Sequence, residues 1–279
     1  MTANSGGYVN ANGIDIHYVQ AGQGMPLILL HGGLVSTNPI WAPTPVSYAG
    51  HMQTLARRYR VIAPDTRGCG RTVHDGGVIT FDQLADDVLA LADALDLDQP
   101  LIAGFSDGAI TATIAAIRGQ GRFQAIVNDA GYDAFDPQAP SATMMRQMLG
   151  GSPTATEADP EAFAQMMTGS EQMRPMFELL KADQDGGQGD GHWAEYLRLA
   201  FHRVTQSPGY TFEDLAKITA PTLILVGDRD DYCTLDDGVT AYRQLTHGEI
   251  AVLPGTGHII TPAKIELAID FFDRHPQPS

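Results

Sequence analysis

Ser106 stands at the centre of Gly104-Phe105-Ser106-Asp107-Gly108, a G-x-S-x-G pentapeptide between an apolar run, Pro100 to Phe105, and a helical run, Ala109 to Ile117. A strand that turns sharply into a helix around a serine needs small flanking residues, because neighbouring backbone and side chains crowd the turn. Such a turn lifts the hydroxyl above the sheet and sets it at a helix N-terminus, where developing negative charge is stabilised. A serine hydroxyl is a weak nucleophile at neutral pH until a base takes its proton. His258 is suited to that task, because Pro254-Gly255-Thr256-Gly257-His258 is a glycine-rich loop directly after the apolar run Ile250 to Leu253. Catalytic groups gather in such loops in parallel α/β sheets. A carboxylate on the far ring nitrogen would fix the tautomer. Asp228, Asp230 and Asp231, after the run Thr222 to Val226, are all candidates for it.

Acyl transfer also needs N–H donors for a tetrahedral oxyanion. His31-Gly32-Gly33-Leu34 follows the run Leu27 to Leu30, and its small residues let backbone approach a substrate oxygen. The N–H groups of Gly33 and Asp107 are assigned to the oxyanion, with Leu34 as a substitute for the first. Gly32, Leu34 and Trp41 are expected to contact substrate, and His31 to shape its loop by hydrogen bonding.

These residues need a scaffold, and the sequence outlines one. Short apolar runs at Leu27 to Leu30, Val61 to Ala63, Leu101 to Ala103, Ala125 to Val127, Leu223 to Val226 and Ile250 to Leu253 read as strands buried on both faces. They alternate with amphipathic helices, which predicts a mostly parallel α/β sheet. One helix follows Thr80, with Gln83 spaced for a capping box, and another follows Thr261 with Pro262 in its first turn. Ahead of them, Tyr8 to Asn12 and Ile14 to Gln20 read as a hairpin turning at Asn12-Gly13.

Between Asp129 and Thr222 lie about ninety residues, far more than a simple crossover needs. The excess predicts a helical cap over residues 131–210, inserted into a core of residues 1–130 and 211–279. Seven of the ten methionines fall in it, Met144, Met145, Met148, Met166, Met167, Met173 and Met176, and one or two are expected to touch a pocket. The stretch Asp183 to Gly191 is expected to be a solvated loop, since it lacks the glycine and glutamate of a calcium loop.

The net charge of −16 disfavours nucleic acid and anionic membranes, and makes neutral or cationic small molecules the easier substrates. Cys69 and Cys233 are too few for a disulfide framework or a cysteine zinc site. No metal or organic cofactor is expected. The N-terminal segment lacks a signal-peptide pattern and there is no long apolar run, so a cytoplasmic location is expected. The sequence is compatible with a homo-oligomer.

Taken together, His31-Gly32-Gly33, Ala63 to Thr72, Gly104 to Ala109, Tyr210 to Asp230 and Gly255 to His258 resemble the α/β-hydrolase superfamily over nearly the whole chain outside the cap. The Ser106-Asp107-Gly108 version is similar to valacyclovirase-like members and to enol-lactonase or haloperoxidase-like esterases. The resemblance implies the α/β-hydrolase fold and the chain order Ser106, Asp230, His258. It singles out Asp230 through the family's G-x-x-D pattern, leaving Asp228 to brace the turn and Asp231 to cap or face solvent. Asp129 is the other position from which some relatives supply the acid. Asp107 is expected to cap its helix, or, as in valacyclovirase-like members, to hold a substrate ammonium. Cys69 replaces an aromatic or histidine and is expected to be a buried, inert thiol.

The expected activity is that of an esterase or lactonase working through an acyl-enzyme. Lyase or cyclase chemistry on the same three residues and a ligand-binding receptor of the same fold are the alternatives. Serine at the turn argues against dehalogenase and epoxide hydrolase relatives, which place aspartate there.

Overall fold

The structure is a computed structural model that describes residues 5–34, 50–74, 76–136, 139–206 and 208–276. Eight strands form one sheet: β1 (Ser5–Ala11), β2 (Ile14–Ala21), β3 (Pro26–Leu30), β4 (Arg60–Pro64), β5 (Leu101–Phe105), β6 (Ile126–Asp129), β7 (Thr222–Gly227) and β8 (Gly248–Leu253). Their order is β1-β2-β4-β3-β5-β6-β7-β8. β1 and β2 pair antiparallel and β2 runs antiparallel to β4, whereas β3 to β8 are mutually parallel. The hairpin turns at Asn12 and Gly13, both with positive φ.

Nine α-helices are described: α1 (Met52–Leu55), α2 (Phe81–Ala94), α3 (Asp107–Arg118), α4 (Ser141–Gly150), α5 (Pro160–Gly169), α6 (Arg174–Gln188), α7 (His192–Thr205), α8 (Leu235–Gln244) and α9 (Pro262–Arg274). α2 starts where Thr80 accepts the Gln83 N–H, and α9 where Thr261 accepts the Lys264 N–H. No described helix is long and apolar enough to cross a membrane.

The central strands carry the continuous apolar sequence that burial on both faces requires, and β5 is buried at every position. β8 departs from that expectation. It lies at the sheet edge, its residues from Gly248 to Ala251 are only partly buried, and Val252 is 46% exposed. An edge strand has a neighbour on one side only, so the apolar pattern of Ile250 to Leu253 overstates its burial.

Between β6 and β7 the chain forms α4 to α7, with their own apolar cluster that includes Leu149, Phe163, Leu180, Leu197 and Phe201. The stretch expected to be a solvated loop is instead largely helix, because α6 runs on to Gln188, and Asp183 and Gln184 are buried. Long-range partners explain the correction. Gln184 Oε1 accepts the Gly70 N–H at 3.0 Å, while Gln184 Nε2 donates to Cys69 Sγ at 3.2 Å. Gln188 Nε2 donates to the Gly70 carbonyl at 3.1 Å. Gly187 permits the approach, since a Cβ there would lie 1.9 Å from the Gly70 carbonyl oxygen. Glycine costs helix propensity, and here close contact with another backbone outweighs it. Cys69 is buried as expected, and burial pushes its thiol well above the ordinary range.

Candidate active site

β5 ends at Phe105 and α3 begins at Asp107, leaving Ser106 alone to turn the chain. Its φ of 53° and ψ of −122° lie where an L-residue is rarely found. The flanking glycines are sterically required: a Cβ on Gly104 would sit 2.2 Å from the Gly108 carbonyl oxygen, and one on Gly108 2.5 Å from that of Leu30. The structure brings three of the residues singled out by sequence into one chain of hydrogen bonds. His258 Nε2 lies 3.1 Å from Ser106 Oγ, and His258 Nδ1 lies 2.9 Å from Asp230 Oδ2.

The second carboxylate oxygen of Asp230 accepts the N–H groups of Tyr232 and Cys233, each at 2.9 Å. Burial alone would raise the pKa of Asp230. The imidazole hydrogen bond and the two backbone donors outweigh it and hold the carboxyl below its ordinary range. An ionised Asp230 accepts Nδ1–H, which leaves the Nε2 lone pair facing the hydroxyl. The rings of Phe105 and Tyr232 lie 4.8 Å and 5.1 Å from that of His258 and restrain its plane. Asp228 Oδ1 accepts the Thr256 N–H at 3.3 Å, bracing the loop that carries His258, while Asp231 is exposed.

Asp129 is engaged elsewhere. Its Oδ1 accepts from Lys264 Nζ at 2.5 Å, and both side chains are buried. Burial pushes the Asp129 carboxyl up to about 6 against the downward pull of Lys264. Lys264 was not identified from sequence, although it lies in helical phase with Ala268 and Phe271, on the face of α9 that is buried.

His31 lies in the loop after β3. Its Nε2 accepts the Thr66 N–H at 3.0 Å, so its proton sits on Nδ1, which donates to the Gly32 carbonyl at 2.7 Å. Burial lowers the pKa of His31 from the ordinary 6.5. An unfolded chain therefore binds this proton first as pH falls. The stability His31 contributes is present above about pH 6.5 and is lost as pH drops through the depressed value. Thermal unfolding of the natural protein and His31→Gln is expected to show a Tm advantage for histidine at pH 7 that shrinks toward pH 5. A pH-independent difference would contradict this.

Gly33 lies against the Asp107 carboxylate, where a Cβ would come within 2.5 Å of Oδ2, and its carbonyl accepts the Tyr196 hydroxyl at 2.5 Å. Asp107 is the first residue of α3, so its N–H has no acceptor within the helix. Among the described residues its side chain bonds to α7 rather than to its own helix: Oδ2 accepts from Arg203 Nε at 3.1 Å and Nη2 at 2.9 Å. That pairing stands in place of the expected helix cap, with Arg203 on α7 as the partner of the carboxylate.

Two chambers meet at Ser106, and both are also lined by Asp107, Met145, Val204, Tyr232 and His258. One, of about 260 Å³, is apolar and includes Gly32, Gly33, Leu34, Met148, Met173 and Met176. Four methionines therefore line it, Met145 among them, rather than the one or two expected. Met145 and Met148 come from α4, and Met173 and Met176 from the start of α6, a convergence that sequence periodicity within one helix does not reveal. The other, of about 90 Å³, includes Asp133, Asp136, Ser141 and Arg203. Trp41, expected to touch substrate, lies outside the described residues, as does the segment 35–49.

Asp230, Cys233 and His258 also offer ligand atoms within 4.8 Å of one another, a convergence the sequence spacing does not show. They are not poised for a cation: Cys233 Sγ bonds Asp133 Oδ1 at 3.0 Å and the Ala130 carbonyl at 3.1 Å, and burial keeps its thiol protonated.

Residues 27–264 match the model of the alpha/beta hydrolase family. The chain is 27% identical to 3-oxoadipate enol-lactonase 2 of Acinetobacter baylyi, over 88% of this chain and 87% of that protein. It is 26% identical to a non-heme chloroperoxidase of Kitasatospora aureofaciens, over 88% of this chain and 90% of the relative. The structure superimposes on a meta-cleavage product hydrolase from Pseudomonas fluorescens with a TM-score of 0.72 at 20% identity, covering 97% of this chain and 98% of that one.

Proposed function

The chain belongs to the alpha/beta hydrolase family, and on that premise we propose that it is a serine hydrolase of small-molecule carboxylic esters or lactones. Ser106 is the nucleophile, His258 the general base and Asp230 the orienting acid. The observation that carries this reading is the continuous relay from Asp230 through His258 to the strained Ser106. An enol-lactonase among the relatives supports lactones as substrates.

Ser106 Oγ attacks the carbonyl carbon while Nε2 takes the hydroxyl proton. The N–H groups of Gly33 and Asp107 hold the resulting oxyanion. Collapse breaks the bond to the leaving oxygen, which receives the proton from Nε2, and leaves an acyl group on Ser106. Water, deprotonated by the same imidazole, repeats the sequence and releases the acid. Gly32 and Leu34 contact the substrate, and α4 to α7 form the cap whose methionines adapt to it.

Intact-mass and peptide measurements after treatment with an alkyl fluorophosphonate test the reading. A single adduct on the Ser106 peptide is expected, with parallel loss of turnover on an ester and lactone panel. A folded protein that takes no adduct and eliminates rather than hydrolyses would overturn it.

A further inference from the structure

Arg203 has an unmet demand. Its side chain is 2% exposed, and Nε and Nη2 are both spent on Asp107 Oδ2. Nη2 also lies 3.5 Å from the Tyr196 hydroxyl. Nη1 has no hydrogen-bond partner among the described residues, although it is buried. A guanidinium cannot shed its proton to escape this, and Asp107 strengthens its charge against the opposing effect of burial. A charged N–H group left buried and unpaired loses its water without gaining an acceptor, which is costly. The same residue lines the small chamber beside Ser106 and His258.

We propose that the Nη1 edge of Arg203 receives a carboxylate carried by the substrate, so that the enzyme selects esters or lactones bearing a free acid group near the scissile carbonyl. This rests on the serine hydrolase reading and names the substrate class for it. The planar fork of arginine matches a carboxylate, and its other edge is already fixed by Asp107, so little freedom is lost on binding. Neighbouring acids do not forbid an anion. Asp107 is matched by Arg203, and burial raises the pKa of Asp133, which favours its neutral form. Asp136 is the further carboxylate in this chamber's lining. The chamber's volume of about 90 Å³ suits a short acid-bearing arm, and leaves the larger apolar chamber for the rest of the molecule. The net charge of −16 argues for neutral or cationic substrates only at long range. Salt screens that field over about 8 Å, whereas a buried guanidinium acts at contact.

Calorimetric titration of unreactive Ser106→Ala with monomethyl succinate and with dimethyl succinate tests this directly. The monoester is expected to bind at least about tenfold more tightly, the scale of a charged hydrogen bond. In Ser106→Ala/Arg203→Gln the preference is expected to vanish. Unfolding curves accompany both proteins; if the glutamine variant fails to fold, Arg203→Lys is expected to keep the charge but weaken the preference. Equal affinity for the two esters, no binding of the monoester, or a preference that survives loss of the guanidinium would overturn the proposal. Failure of the natural protein to hydrolyse any ester, with the binding preference intact, would instead sink the hydrolase reading alone.

Discussion

Ser106→Ala is expected to lower kcat toward an activated ester by about a million-fold, the loss seen when the nucleophile of such a relay is removed. Some acceleration over water is expected to persist, on the order of 10³–10⁴, from the oxyanion donors and substrate binding. The backbone offers a control that separates chemistry from strain. Alanine at φ 53° remains in a conformation that disfavours a Cβ. Glycine does not, and Ser106→Gly should be equally inactive yet more stable than Ser106→Ala by about 1 kcal/mol. Stopped assays and unfolding curves on the two variants read both effects. Retention of even a hundredth of the natural rate in either would remove Ser106 from the nucleophile role.

Lys264→Met is expected to have the largest effect on stability. The substitution keeps much of the side-chain volume but strands Asp129 as a buried carboxyl without its cation. Breaking one half of a buried pair costs about 3–5 kcal/mol, whereas replacing both halves with apolar groups is far milder. Lys264→Met/Asp129→Leu should therefore recover most of the lost Tm. pH sharpens the expectation. A carboxyl whose folded pKa is raised to about 6 contributes stability that is complete below 3.8 and is lost as pH rises through about 6. Without lysine the folded pKa rises further and the loss extends to higher pH, so the single variant should lose less Tm at pH 5 than at pH 8. A pH-independent loss, or no rescue in the double variant, would mean that Lys264 acts through packing alone. Its Nζ lies 5.7 Å from the centroid of the Phe105 ring, against which His258 also packs, so the pair supports the floor of the relay.

Local chemistry was legible in the sequence. The Ser106 turn, the Asn12-Gly13 hairpin and the starts of α2 and α9 depend on neighbours a few residues away, and each appears where residue type places it. Choosing Asp230 needed the family pattern, because three carboxylates in one loop differ only in which one the fold turns toward His258. Partners far apart in the chain were not legible. Asp107 and Arg203 are 96 residues apart, and nothing local to either distinguishes that pairing from a helix cap or a free acid. Asp183 to Gly191 failed for the same reason: its glycines signal a loop, and only the approach of Gly70 shows why one of them belongs in a helix. Lys264 left a trace, a charged residue in phase with an apolar stripe, but its carboxylate lies 135 residues away.

The contact between Gly187 and Gly70 bears on recombination among relatives. Two main chains that nearly touch form a seam with no tolerance for any added carbon, whereas the amides of Gln184 and Gln188 across it must find carbonyls and N–H groups at set positions. A chimera that transplants a foreign helical segment between β6 and β7 therefore inherits a compatibility rule written in Gln184, Gly187 and Gln188 on one side of that joint and Cys69 and Gly70 on the other, and matching the methionine lining alone would not satisfy it.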